Sequence, residues 1–386
     1  MVLKASERGK IPPFIVMDVM KAASALEMDG REIVHLEVGQ PDTGLPMNAV
    51  EPVRKLIGEA ALGYTIANGI FELRERIVGH YKVNYGVQVD AESIFITTGS
   101  SAGFQLAFLS AFDPGDRVAL ASPGYPAYRH ILTSLGLDPV LLQVGNETRF
   151  QPTVALLESL ETPVDGLILA SPSNPTGTIL PREEFENIIE HCRSRGIRVV
   201  SDEIYHGISY GADVTTAASS GAPEIVVNSF SKYFSMTGWR IGWLVVPPDL
   251  ARSVECLAQN HYISPPTISQ WAAVHVFDCL DELEGNVLRY QKNRELLLKG
   301  LPLAGIDKMA PSDGAFYLYA DVSEFTDNSI AYCQSLLDQV GVAITPGVDF
   351  DPLNGHQTVR ISFAGSTENI EDAVKKITAW QKSVGV

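Results

Sequence analysis

Between residues 93 and 246, short apolar, β-branched runs alternate with amphipathic stretches. The runs are 93–98, 117–121, 139–144, 166–170, 198–202, 225–229 and 242–246. Strands separated by helical stretches pair in parallel with helices on both faces. The chain is therefore expected to be α/β, with a mostly parallel seven-stranded sheet flanked by helices. Run 242–246 follows its neighbour after too short a gap for a helical crossover, so it is expected to be antiparallel. The clearest helix is 181–195. Pro181 suits its first turn, Phe185, Ile188, Ile189 and Cys192 recur at helical spacing, and Gly196 is a stop.

From 265 to about 301 the pattern is long and helical, with Ile268, Trp271, Ala272 and His275 on one side. Beyond it, 316–322, 341–346 and 358–363 read as strands and 368–382 as an amphipathic helix. A chain of 386 residues holds more than one core. The expected division is a large domain over 43–285 and a smaller α/β domain over 286–386. Segment 1–42 packs with the smaller domain, which is then discontinuous.

A net charge of −17 and a pI near 4.9 argue against nucleic acid or an anionic membrane surface as partner. They do not exclude a small anionic ligand, because local arginines and lysines can oppose the global sign. Cys192, Cys256, Cys279 and Cys333 are scattered without a CxxC pair, as expected of reduced thiols in the cytoplasm. The first thirty residues lack a signal-type apolar region, and no run approaches the length of a membrane span.

Three of the runs end in polar groups about 30 residues apart, one βαβ step each. Asn174 lies in Ser173-Asn-Pro-Thr-Gly177, where Pro175 and Gly177 turn the chain after run 166–170. An isolated NPxG is usually an ordinary turn; in company, the amide can donate to a phenolate oxygen on a bound ring. Asp202 closes run 198–202, either as a cap for a following helix or as the charge that keeps a pyridine nitrogen protonated. Tyr205 can reach the same phenolate. Lys232 stands among Phe230, Tyr233, Phe234 and Met236, which would desolvate its amine and depress its pKa. An amide, a carboxylate and an amine at corresponding strand ends suit an aldehyde cofactor held on Lys232.

Other groups fit around it. Arg240 offers a fork for a phosphate, and Ser229 and Ser231 offer hydroxyls. The small-residue stretch 97–103 opens an apolar helix, so the backbone N–H groups of Ser100, Ser101 and Ala102 form a candidate anion site. Tyr125, after another strand, can stack on a planar ring or simply pack in the core.

NPTG, DEIY and SFSKYFSMTGWRIGW, in this order and spacing, resemble the class I/II pyridoxal-phosphate-dependent aminotransferases, the aspartate aminotransferase family of fold type I. The resemblance runs over almost the whole chain. It implies that Lys232 is the Schiff-base lysine and Asp202 the partner of the pyridine nitrogen of pyridoxal 5′-phosphate. Asn174 and Tyr205 become the phenolate pair and Tyr125 the stacking ring; Ser100, Ser101, Ser229, Ser231 and Arg240 fall at phosphate positions. It further implies that Arg360 clamps the substrate α-carboxylate, that Gly39 contacts the same group through its backbone, and that Tyr64 reaches the cofactor of a neighbouring subunit in a homodimer with shared active sites.

The implied reaction transfers an amino group between an L-amino acid and a 2-oxo acid in two ping-pong half-reactions, with Lys232 as general base and acid. Position 101, basic in some aspartate-using relatives, is serine, and segment 12–15 and the Tyr262-Ile263 loop are apolar. A neutral or apolar substrate side chain is expected, with glutamate as a further amino donor. The alternatives are a C–S β-lyase on the same fold, an aspartate-specific aminotransferase, and a non-catalytic cofactor-binding regulator. Against the last stand the full catalytic set and the lack of a basic extension.

Overall fold

The computed structural model describes residues 3–219 and 224–383. In chain order the first half contains α1 (Ile15–Met28), β1 (Val34–His35), α2 (Met47–Glu59), α3 (Phe71–Tyr85), β2 (Ile94–Thr97), α4 (Ser100–Ala111), β3 (Arg117–Ser122), α5 (Pro126–Leu135), β4 (Asp138–Gln143), α6 (Val154–Glu158), β5 (Gly166–Ala170) and α7 (Arg182–Arg195). Then follow β6 (Arg198–Asp202), β7 (Ile225–Ser229), β8 (Gly242–Val245), α8 (Pro248–Tyr262), α9 (Thr267–Val276), α10 (Leu280–Gly300), β9 (Tyr317–Asp321), α11 (Ser329–Val340), β10 (Val342–Ala343), β11 (Thr345–Pro346), β12 (Thr358–Ser362) and α12 (Thr367–Ser383).

The seven-stranded sheet has the order β2-β8-β7-β6-β5-β3-β4. Every pair in it is parallel except those made by β8, which runs antiparallel to β2 and β7 as its short connection requires. The central strands are apolar and buried on both faces, as parallel strands under two helical layers must be. Alternate side chains serve opposite layers: Leu167, Leu169 and Val199 join one core cluster, Ile168 and Val200 the other. Helix α7 buries Phe185, Ile188, Ile189 and Cys192 and stops at Gly196, whose φ of 71° is left-handed. Burial of each large apolar side chain there contributes about 1.5–3 kcal/mol. Pro181 is the residue before α7, with an extended ψ of 144°, and not part of its first turn.

The C-terminal strands form a separate antiparallel sheet, β11-β12-β9, and β10 pairs in parallel with β1 near the amino end of the chain. Run 341–346 is thus two strands, which part at Ile344 to join different sheets. The helical stretch after 265 is likewise two helices, α9 and α10, broken at 277–279. Among the described residues no helix is long and apolar enough to cross a membrane.

Candidate active site

Parallel pairing aligns the carboxyl ends of β5, β6 and β7: Ala170 is opposite Asp202, and Asp202 opposite Val227. Ligands bind outside such ends in open α/β sheets. A cavity of about 190 Å³ opens there, lined by Gly39, Ser100, Ser101, Tyr125, Asn174, Asp202, Tyr205, Ser231, Lys232, Arg240 and Arg360. These residues come from widely separated stretches of the chain, and each is a candidate from the sequence.

Three candidates do not line it. Ala102 is buried inside the first turn of α4, so only its backbone N–H faces the amino end of the helix. Ser229 is buried behind Ser231; its Oγ lies 2.9 Å from Ser231 Oγ and 3.2 Å from Ile241 O, and it accepts from the Ser231 N–H. Tyr64 is 83% exposed, away from this chain's cavity.

Lys232 Nζ donates to Gly39 O. Burial pushes its pKa down to about 7; the nearby charges of Arg360 and Arg240 act in the same direction, and Asp202 opposes them. The rings beside the amine are Tyr205 and Phe316, each 5.8 Å from Nζ. Phe230 and Phe234 turn away from it and pack on Trp243 and Phe277, so the aromatic residues flanking Lys232 in sequence build the core and not the cavity wall.

Asp202 shows the opposite balance. Burial raises its carboxyl to about 6, against the pull of the Tyr128 hydroxyl, the Ile204 N–H at 3.1 Å and the charge of Lys232. Tyr128 is a site residue that the sequence reading passed over. It sits one turn after Tyr125 on α5, packs on Phe104 at 5.0 Å and donates to Asp202 Oδ2. Its signal was its place three residues after Tyr125, the N-cap of α5, which brings the two ring centroids to 5.2 Å. Tyr317 was also missed. Its hydroxyl is 2.7 Å from that of Tyr205, and a Cβ on Gly39 would collide with it, so position 39 requires glycine. Nothing local marks Tyr317 beyond strand alternation in β9.

Arg360 on β12 is 2% exposed. Its guanidinium lies 4.4 Å from the centroid of Tyr317 and 4.7 Å from that of Phe350. It donates to Asn174 Oδ1 at 3.0 Å, Thr345 Oγ1 at 3.3 Å and Glu37 O. Because Asn174 Oδ1 accepts from Arg360, the Asn174 amide nitrogen remains free to donate into the cavity. Arg360 Nε is buried without a protein partner among the described residues. A buried donor of this kind calls for a ligand acceptor.

At the opposite end, Gly99 precedes α4 with a φ of 87°, and a Cβ there would run into Arg240 Nη2. Arg240 therefore lies against the amino end of α4, where the first backbone N–H groups have no partner within the helix. With the Ser231 hydroxyl they make a donor set for a dianionic phosphate. A phosphate cradle, a buried carboxylate, an amine near neutrality and a second arginine fit pyridoxal 5′-phosphate together with an α-amino acid.

The sequence from 31 to 377 matches the model of the family "aminotransferase class I and II". The chain belongs to the class I and II aminotransferases. This aminotransferase is 50% identical over 384 residues to a valine–pyruvate aminotransferase of Mycobacterium tuberculosis, covering 97% of this chain and 98% of that protein. A crystal structure of an aminotransferase from M. tuberculosis superposes with a TM-score of 0.97 at 48% identity, covering 99% of this chain and all of that one. The Thermus thermophilus aspartate aminotransferase solved with maleate gives a TM-score of 0.91 at 29% identity, covering 98% of this chain and 100% of that one. The α/β fold of this aminotransferase is that of aspartate aminotransferases, and its family depends on pyridoxal phosphate.

Proposed function

We propose that this aminotransferase exchanges the amino group of a neutral, apolar L-amino acid with a 2-oxo acid in two ping-pong half-reactions, using pyridoxal 5′-phosphate. Arg240, Ser231 and the amino end of α4 would hold the phosphate, Tyr125 the ring face, Asn174 and Tyr205 the phenolate oxygen, Asp202 the ring nitrogen and Lys232 the aldehyde. When bound, the cofactor supplies an electron sink for negative charge at the substrate α-carbon. Arg360 binds the α-carboxylate through its fork, helped by the backbone at Gly39. The Lys232 amine, with its pKa near 7, would take the proton from the substrate Cα and deliver it to the carbon that carried the cofactor's aldehyde.

The observation that carries this reading is the pairing, across one cavity, of an amine whose pKa is lowered to about 7 with a buried arginine whose Nε has no partner among the described residues. The walls support the proposed substrate class. Phe14, Val16, Met17, Val38 and Ile204 are apolar, and the lining's basic groups are Lys232, Arg240 and Arg360, all with roles above. Among the described residues of this chain no further cation lines the cavity to meet a distal carboxylate, which favours neutral substrates over aspartate. The relative named for valine and pyruvate makes these the first pair to try.

Tyr64, 83% exposed, is available to reach a neighbouring subunit's cofactor, which fits a homodimer. The free cysteines, mostly buried, fit a reducing cytoplasm. The test is a panel of amino acids assayed with pyruvate, alongside borohydride trapping of the cofactor on wild-type and Lys232→Ala protein. Transfer to pyruvate and labelling that needs Lys232 support the reading. Labelling retained by the variant sinks the lysine assignment, and failure of every amino acid sinks the reaction.

A further inference from the structure

Helix α1 forms part of the cavity wall through Val16 and Met17, with Phe14 just ahead of it. Its own N-cap is that phenylalanine, which has no oxygen to offer the exposed N–H groups of the first turn. The cap comes from elsewhere. Asp349, 1% exposed, accepts the Ile15 N–H on Oδ1 at 3.1 Å and the Val16 N–H on Oδ2 at 3.2 Å. The backbone oxygen of Asp349 is in turn held by Arg129 Nη2 from α5.

The turn that supplies this cap also supports Arg360. Strand β11 pairs Thr345 with Arg360 and gives its Oγ1 to Nη2, and Phe350, next to Asp349, lies under the guanidinium. Six residues of chain thus touch both the arginine proposed to bind the α-carboxylate and the helix that lines the cavity. Phe14 completes the arrangement by standing edge-on to Tyr125, with centroids 5.7 Å apart.

We infer that Asp349 is a positioning residue: its carboxylate pins α1 over the substrate side chain, ties that wall to the Arg360 support, and so sets the preference for branched apolar amino acids over smaller ones. The inference rests on the function proposed above. Without the cap, the first turn of α1 loses two hydrogen bonds and its favourable charge at the helix terminus, and the wall loosens. Alanine, with a single methyl, makes little use of that wall; valine uses more of it.

The experiment is the half-reaction of holoenzyme with valine or alanine, followed by loss of the cofactor's visible band, for wild type, Asp349→Asn and Asp349→Ala. The ratio of apparent affinities for valine over alanine is expected to fall about tenfold in Asp349→Ala, the size of one lost cap. In Asp349→Asn, which keeps one of the two acceptor oxygens but turns a donor amide towards the other N–H, the fall should be intermediate, about threefold. Phe14→Ala, which removes wall and leaves the cap, should lower the same ratio, and it decides the matter if Asp349→Ala does not fold. Equal losses on both amino acids, or an unchanged ratio in Phe14→Ala, overturn the inference. A wild-type protein that reacts with neither amino acid refutes the proposed function itself, and the inference falls with it.

Discussion

The amine of Lys232 costs the cofactor-free protein stability, and the cost depends on pH in a direction set by its burial. The folded chain holds this group near pKa 7, against 10.5 for an ordinary lysine. Between those values the unfolded chain binds more protons, so stability rises with pH across that window. The cost is absent above about pH 10.5, grows as the pH falls, and levels off below about pH 7. Integration gives a cost of about 4 kcal/mol at pH 7 and about 1.5 kcal/mol at pH 9.5. Lys232 is only half-buried, and solvent reaching it through the cavity screens part of this. The pH-dependent difference is therefore about 1.5–3 kcal/mol. Lys232→Met removes the charge while an unbranched side chain fills the space. Urea unfolding of both cofactor-free proteins, at one protein concentration, gives the comparison at pH 7 and 9.5. The variant should be the more stable at pH 7, with the gap closing by that amount at pH 9.5. A gap that stays constant or widens with pH would refute the assignment of a desolvated amine.

Three other substitutions test separate parts of the site. Tyr128→Phe removes a charge-assisted donor from Asp202, whose carboxyl already stands at about 6. The loss of roughly 1.5–3 kcal/mol should raise it further and move the acid limb of kcat/KM up by about 1–2 pH units; an unmoved limb excludes the contact. Arg360→Lys keeps the charge but loses the fork and the stacking on Tyr317 and Phe350. It should lower kcat/KM by about a hundredfold or more without changing cofactor retention, and an equal loss of cofactor would contradict its role. Gly99→Ala places a methyl against Arg240 at a φ of 87° and should weaken cofactor binding at least tenfold by equilibrium dialysis, with wild-type retention as the contrary result.

What was legible in advance follows how local each signal is. Strands β5, β6 and β7 are continuous apolar runs closed by polar groups, so their ends and the residues on them could be placed from the sequence. The break between α9 and α10 falls at 277–279, where neither glycine nor proline marks it. The split of run 341–346 arises because β10 and β11 find different partner strands, a choice that no short window contains. Site residues divide in the same way. Lys232, Asp202 and Asn174 stand in recognisable motifs, whereas the contacts of Tyr128, Tyr317 and Asp349 span 74, 112 and 333 residues. A tyrosine or aspartate in an ordinary setting acquires its role only when the fold brings its partner to it. The flanking aromatics of Lys232 illustrate the converse: neighbours in sequence, they face the core while Tyr205 and Phe316 from elsewhere face the amine.

In the proposed reaction one cavity takes the amino group from a neutral amino acid and keeps it for a second substrate. Mixing purified holoenzyme with valine in the absence of any 2-oxo acid, and counting products, shows whether it does. One equivalent of 2-oxo acid per active site, no free ammonia, and renewed turnover only when pyruvate is added is the predicted result. Continuous release of ammonia without an acceptor, or no 2-oxo acid from valine or any other neutral amino acid, would contradict it.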